Sequence, residues 1–208
     1  PVEQLAKVDL SRYTTIVMPN GRYANLSPGA ADKLRQWLSA GGTLIAQKEA
    51  ARWCAEQQLA KLTFQSPTYA TPGQRPYAKV SQDQGARILG GAIFAARVDL
   101  THPLLYGFQR PEMPSFRRGN LNFKPTENPY ASPVRYTAQP LLSGYVHPTS
   151  LDALRKTAAV TVSGRGQGQT ICMTDEPAFR AFWYGTARLL ANAVFFGNTI
   201  DPDTKEKI

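Results

Sequence analysis

The fold is decided by the stretch Gly41-Gly42-Thr43-Leu44-Ile45-Ala46-Gln47-Lys48-Glu49-Ala50-Ala51-Arg52-Trp53, which predicts a buried strand, a sharp turn and a helix. The short apolar run 43–46 is typical of a parallel strand, and the two glycines before it end a preceding helix. Upstream, residues 14–18 have the same β-branched, apolar character, and Ser27-Pro28 marks the start of the intervening helix. The segment therefore predicts a β-α-β unit with parallel strands and a right-handed crossover.

The predicted turn has the shape of a nucleophile elbow and contains no nucleophile. In α/β hydrolytic and amide-transferring domains, such a bend lifts a Cys or Ser above the sheet. Here the apex is Lys48 or Glu49. We favour a degenerate elbow in which both are polar turn residues; the alternative is a lysine that faces a cleft and binds an anion. No catalytic residue is predicted.

Composition places limits on the kind of protein. The chain has 208 residues, 42% hydrophobic and 19% charged, which is typical of one sizeable domain, 1–208, with a full core. The net charge of +9 is scattered, so we expect neither a nucleic-acid nor a membrane partner. Cys54 and Cys172 are too few for a zinc site or a disulfide framework, and we expect buried apolar roles and no metal. The chain opens on Pro1 rather than Met, and we expect it to be part of a longer protein.

The second half of the chain predicts a less regular arrangement. Residues 107–148 interleave prolines with aromatic residues, and we expect an ordered, loop-rich insertion over the sheet. Residues 158–162 and 169–173, joined by a glycine-rich turn, predict an antiparallel hairpin. Asp175 then precedes a long helix, 177–196, for which it is the expected cap. The whole predicts a mostly parallel α/β sheet with a C-terminal antiparallel hairpin.

Several other residues have the chemistry of binding groups. Asp99 and His102 have the spacing of a metal or acid-base pair, but two ligands are too few for zinc, so we favour a turn role. Arg180 belongs to a predicted surface, with Trp183, Tyr184 and Arg188, that could bind a ligand or partner, although aromatics at helical spacing are more often core. A residual enzyme that uses Lys48, Glu49 and Asp99 is a further alternative.

The chain resembles a known family. Residues 13–23, 34–38 and 41–46 resemble the class I glutamine amidotransferase-like fold. More specifically, the whole chain resembles the C-terminal domain attached to certain bacterial zinc carboxypeptidases of the M14 type. The segments that carry this resemblance are 91–94, 99–104, 142–145, 179–186 and 192–197.

The resemblance implies a flavodoxin-like three-layer sandwich, with helices on both faces of the sheet. It also implies an upstream peptidase domain in the same chain, which holds the zinc, so that this domain itself has no cofactor. The parent protein is expected to be periplasmic or secreted. Lys48 falls where active amidotransferases have cysteine, and Thr174-Asp175 where they have histidine, so no catalytic role is carried over. The family's first strand is expected before Pro1.

These observations predict a non-catalytic accessory domain of a zinc carboxypeptidase. It would assist substrate positioning, stability or assembly, with the upstream peptidase domain as partner and a homodimer as one form of assembly. The alternative is a binding module for carbohydrate or cell-wall fragments. That module would use the aromatic residues of 107–148, and Phe116, Tyr130 and Tyr136 are its predicted binding residues.

Overall fold

Helices cover both faces of a central sheet. The computed structural model describes residues 4–70, 73–181 and 183–208, within which the sheet has eight strands. The strands are β1 (Thr15–Met18), β2 (Thr43–Gln47), β3 (Ala92–Val98), β4 (Glu112–Arg117), β5 (Val134–Gly144), β6 (Ala158–Arg165), β7 (Gly168–Met173) and β8 (Glu206–Lys207). The helices are α1 (Pro28–Ser39), α2 (Glu49–Glu56), α3 (Val80–Ala86), α4 (Pro148–Leu154) and α5 (Tyr184–Phe196).

The sheet is mixed rather than mostly parallel, which corrects the expectation from the sequence. Its order is β1-β2-β7-β6-β5-β3-β4, with β8 paired to β6. The strands β1, β2 and β7 are parallel neighbours, as the β-α-β pattern predicts, and the short β8 is parallel to β6. From β7 to β4 every neighbouring pair is antiparallel. The predicted C-terminal hairpin is confirmed as β6 and β7.

The segment 107–148 is not an insertion over the sheet, because it contains β4 and β5. Its prolines concealed both strands. Pro114 lies inside β4, an edge strand, where a residue without an N–H is tolerated on the outer side. Pro140 lies between Tyr136 and Leu141, where the register of β5 against β3 shifts. Proline therefore marks an edge and a bulge here, rather than a loop.

The sheet separates two hydrophobic cores. In β2, Ile45 faces the core that α5 covers, whereas Leu44 and Ala46 face the core that α1 and α2 cover. Cys54 and Cys172 are fully buried in the second core, which agrees with the predicted apolar roles. Burial raises the pKa of both thiols above its ordinary value.

The last long helix starts later than the sequence predicts. α5 begins at Tyr184 instead of residue 177, and Asp175 does not cap it. Between them, Arg180 and Ala181 have φ values of 50° and 56°, a left-handed conformation that ends any continuous helix there. Among the described residues, no helix is both long and apolar enough to cross a membrane.

Candidate functional site

β2 ends at an elbow whose apex is Lys48. Its backbone has φ 51° and ψ −115°, a conformation that costs a residue with a Cβ about 1–3 kcal/mol. The next residue, Glu49, already begins α2. The Lys48 N–H donates to the carbonyl oxygen of Met173 at 2.8 Å, so the turn is fastened to β7. The strand, sharp turn and helix predicted from the sequence are therefore present.

The side chains at the elbow are ordinary surface groups. The Lys48 side chain is only half-buried. The Glu49 carboxylate lies 3.1 Å from the Arg52 guanidinium, one helical turn further along α2, and both side chains are largely exposed. Exposed pairs of this kind add little stability. Neither residue is enclosed as an acid, base or nucleophile would be.

Thr174 and Asp175 lie beside the elbow. Their position follows from the sheet, because β2 and β7 are parallel neighbours and Gln47 lies opposite Met173. Both strands therefore end at the same edge. The structure thus brings together Lys48 and the Thr174-Asp175 pair, the two positions that the family resemblance placed at an active site.

A buried arginine occupies the space next to Asp175. Arg117, the last residue of β4, is only 1% exposed. Its Nη1 atom lies 3.4 Å from Asp175 Oδ2, and its Nη2 donates to Asn122 Oδ1 at 2.7 Å and to the Leu121 carbonyl oxygen. The guanidinium also lies over the ring of Tyr136, 5.2 Å from its centroid. The arginine is thus held on all sides by named groups.

Asp175 is committed to this network. Its Oδ2 accepts hydrogen bonds from the Tyr136 hydroxyl at 2.6 Å and from the Thr174 hydroxyl at 2.8 Å. The second oxygen, Oδ1, is buried and has no hydrogen-bond partner among the described residues. A carboxylate with three donors on one oxygen is held as a structural anchor.

The environment fixes the protonation of Arg117 and of Tyr136. Burial opposes ionisation of Arg117, but the adjacent Asp175 and Tyr136 outweigh it and raise the pKa of the guanidinium. Burial, reinforced by the Asp175 charge, raises the pKa of the Tyr136 hydroxyl. Tyr136 therefore stays neutral and donates, while the Arg117 guanidinium stays charged.

Asp99 and His102 follow the C-terminal end of β3. Because β3 runs antiparallel to β2 and β7, they lie at the opposite end of the strands from the elbow. Asp99 Oδ1 accepts hydrogen bonds from the Thr101 N–H and hydroxyl at 3.0 and 2.6 Å, the predicted turn role. His102 is buried and its Nδ1 accepts from the Leu104 N–H at 3.2 Å. An enzyme that joins Lys48, Glu49 and Asp99 in one pocket is therefore excluded.

The three aromatic residues expected to form one binding surface lie apart. Tyr136 is only 2% exposed and belongs to the arginine network, whereas Tyr130 is 63% exposed in a loop. Phe116 is half-buried and stacks on Phe179 with ring centroids 4.6 Å apart. The prediction fails for Tyr136 because alternation along β5 turns that residue inward.

Arg180 lies on the surface beside Phe116. Its guanidinium is 5.2 Å from the centroid of the Phe179 ring, and the exposed Arg118 approaches the same ring at 5.9 Å. These residues form an aromatic and basic surface cluster. It is separate from the arginine network, in which Arg117 is buried.

Sequence reasoning missed Arg117 as a functional-site residue. One signal was available: in β4, Met113, Ser115 and Arg117 alternate with exposed or half-buried residues, so an arginine occupies the buried face of the strand. Since the prolines predict a loop over 107–148, this alternation is not recognisable as that of a strand. Within residues 4–70, 73–181 and 183–208, no three His, Cys, Asp or Glu side chains come close enough to hold a metal ion.

No protein-family model and no curated protein matches the chain. Solved structures similar to it include ThuA-like proteins from Parabacteroides merdae ATCC 43184 (TM-score 0.54, 12% identity, 96% of this chain and 81% of that one) and Bacteroides uniformis ATCC 8492 (TM-score 0.52, 13% identity, 97% and 78%). Another is the β-galactosidase from Bacillus circulans sp. alkalophilus, of which the chain spans 24% of the length (95% of this chain, TM-score 0.47, 17% identity). At such identities a likeness establishes the fold alone, and the ThuA-like neighbours fit a mixed α/β fold of the glutamine amidotransferase-like kind.

Proposed function

We propose that this chain is a non-catalytic accessory domain of glutamine amidotransferase-like, flavodoxin-like architecture that serves a zinc carboxypeptidase. One observation carries the non-catalytic part of the proposal. The elbow keeps its strained backbone, but its apex is Lys48, and the carboxylate beside it is bound by Arg117 and Tyr136. On this proposal the elbow retains the backbone of an active site, and the Arg117–Asp175 ion pair lies near the position of its histidine.

The histidines support the same conclusion. A thiol or hydroxyl nucleophile needs a base within hydrogen-bond reach. The chain has two histidines, and each accepts a backbone N–H two residues further on: His102 from Leu104 and His147 from Thr149, both at 3.2 Å. Both are used as caps of helical turns that begin with proline. The Nδ1 atom of each ring is therefore already used by the backbone, and His102 lies at the opposite end of the strands from Lys48.

The identity of the parent enzyme rests on the sequence resemblance. On this proposal the upstream peptidase domain holds the zinc and is the partner of this domain. The role here is to position substrate, stabilise the peptidase domain or mediate assembly, and the secreted or periplasmic location belongs to the same proposal. The Lys48 elbow and the buried Arg117–Asp175 ion pair beside it are compatible with such a role.

The first test asks whether the elbow takes part in catalysis. We expect the purified domain to show no hydrolysis of glutamine, ester or peptide substrates. Lys48→Cys should stay inactive because Asp175, near the position of the family's histidine, is held by Arg117 and Tyr136. Lys48→Gly should relieve the positive φ and stabilise the domain by about 1 kcal/mol. Hydrolysis by the unmodified domain that is lost on Lys48→Ala would overturn the proposal.

The second test concerns the accessory role. The peptidase activity of the full parent is compared with that of a version lacking this segment, over peptides that differ at the C-terminus. We expect a selective loss of kcat/KM for some peptides. A truncated enzyme that folds and keeps its kcat/KM on every peptide would exclude a part in substrate positioning.

A further inference from the structure

A cleft of about 460 Å³ lies between the outer edge of β4 and the first turn of α5. Its volume is within the range of small-molecule sites. β4 contributes Glu112, Met113 and Pro114, and α5 contributes Tyr184 and Arg188. The Tyr184 side chain is 82% exposed, so a large ring stands in solvent at the mouth of the cleft.

The walls of the cleft are fixed by hydrogen bonds between α5 and the loop before β4. Arg188 Nη1 donates to the Gly107 carbonyl oxygen at 2.5 Å. One turn further along α5, Asn192 Nδ2 donates to the carbonyl oxygens of Leu104 and Tyr106, both at 2.9 Å. Gly107 has φ 81°, and a Cβ there would meet the Arg188 guanidinium at 2.4 Å. A cleft built in this way does not have to be ordered when a ligand binds.

The lining suits a ligand with an apolar face and many hydroxyl groups. An exposed aromatic ring presents a negative π-face to C–H groups that carry partial positive charge, as on one face of a pyranose. Gln109, Arg110 and Glu112 line the same cleft with planar side chains that donate and accept. Since Glu112 offsets one of the two arginines, the lining does not select for a strongly anionic ligand. These are the features of a saccharide site.

An extended peptide fits this cleft less well. A peptide that lay along β4 would pair with the free edge of the strand, as in strand addition. Pro114 lies within β4 and its nitrogen is on the outer side of the strand, so one backbone N–H donor is missing from that edge. Proline at an edge strand blocks this kind of pairing.

We propose that the β4–α5 cleft is a saccharide-binding site in which Tyr184 is the stacking platform. The proposal goes beyond the accessory role and uses none of the residues at the elbow. The probes are N-acetylchitohexaose, cellohexaose and β-1,4-galactotetraose, each titrated into the isotopically labelled protein and followed by amide chemical shifts. We expect saturable shifts at Gly107, Glu112 and Gly185 with at least one probe.

Matched variants decide whether the cleft is responsible. Tyr184→Ala should weaken binding about tenfold or more, whereas Tyr184→Phe keeps the ring and should bind like the unsubstituted domain. Tyr77→Ala, which removes another exposed tyrosine outside the cleft, should have no effect. No saturable binding by any of the three saccharides overturns the proposal, and so does binding that survives Tyr184→Ala. A peptide that binds the cleft when the saccharides do not would identify a peptide groove instead.

Discussion

Arg117 forms a buried ion pair with Asp175 beside the elbow. Moving a guanidinium and a carboxylate out of water is costly, and their attraction repays that cost only when further hydrogen bonds complete the geometry. Here Asn122, Leu121, Thr174 and Tyr136 supply those bonds. The pair is therefore stable as a unit and sensitive to the loss of either partner.

The ion pair gives the first prediction. Arg117→Met leaves the Asp175 carboxylate buried without its cation and should lower the free energy of unfolding by about 3–5 kcal/mol. Arg117→Met combined with Asp175→Asn removes both charges and should recover part of that loss. Urea unfolding of the two single variants and the double variant measures the coupling.

Arg118→Met is the matched control, because Arg118 is the exposed neighbour of Arg117. Its effect should stay within about 0.5 kcal/mol. If Arg117→Met cost no more than Arg118→Met, the buried pair would not be an anchor.

His102 makes stability depend on pH. Burial lowers its pKa from 6.5 to about 4 in the folded protein. Protonation therefore favours the unfolded chain, so the stability is complete above pH 6.5 and is lost as the pH falls from there towards 4. The loss has an upper bound of about 3 kcal/mol. His102→Asn keeps an acceptor for the Leu104 N–H and does not titrate, so its unfolding free energy should fall less over this range.

His147 provides the control for that experiment. It caps α4 as His102 caps its own turn, but it is half-buried rather than buried. His147→Asn therefore controls for the loss of a capping histidine as such. Equal slopes for the parent protein and His102→Asn would show that another group carries the acid sensitivity.

At the level of strands and helices, the sequence predicts the parallel strands and the β6–β7 hairpin, but not β4 and β5. The run 41–53 contains local signals for each element: two glycines, an apolar strand, a polar turn and a helix. β4 contains Pro114, which is tolerated because β4 is an edge strand, and β5 contains Pro140, which is tolerated at a bulge. Both the edge and the bulge exist only in the complete sheet. The elbow was therefore predictable, and Arg117, which comes from a strand distant in sequence, was not.

The approach of α1 to the start of β7 gives a prediction of its own. A Cβ on Gly168 would lie 2.2 Å from the Leu38 carbonyl oxygen and 2.4 Å from that of Gly42. Both are backbone atoms, so Gly168→Ala must separate the strand from the helix and should cost about 1–3 kcal/mol or more. Gly29→Ala in α1, where a Cβ meets nothing within 4 Å, should instead stabilise by about 0.5–1 kcal/mol. Thermal unfolding of the two variants compares them, and equal shifts would exclude a steric cause.

Across the molecule, the two cores are joined by the strands that lie between them. Ile171 of β7 belongs to the core under α5, and Cys172 beside it belongs to the core under α1 and α2. In β6, Val160 and Ala158 are divided in the same way. Neither core can lose its side chains without disturbing strands that the other core requires. The two cores should therefore unfold together.

Leu44→Ala and Ile45→Ala test this cooperativity, because the two residues are adjacent in β2, fully buried and directed into different cores. Each should cost about 2–5 kcal/mol. In a Trp183→Phe background, fluorescence reports Trp37 and Trp53, which lie in the core under α1 and α2, whereas far-UV circular dichroism reports the whole sheet. We expect both signals to shift together in both variants, since a strand that anchors two cores transmits the loss from either. Fluorescence that kept its midpoint in Ile45→Ala while circular dichroism lost stability would show that the cores unfold separately.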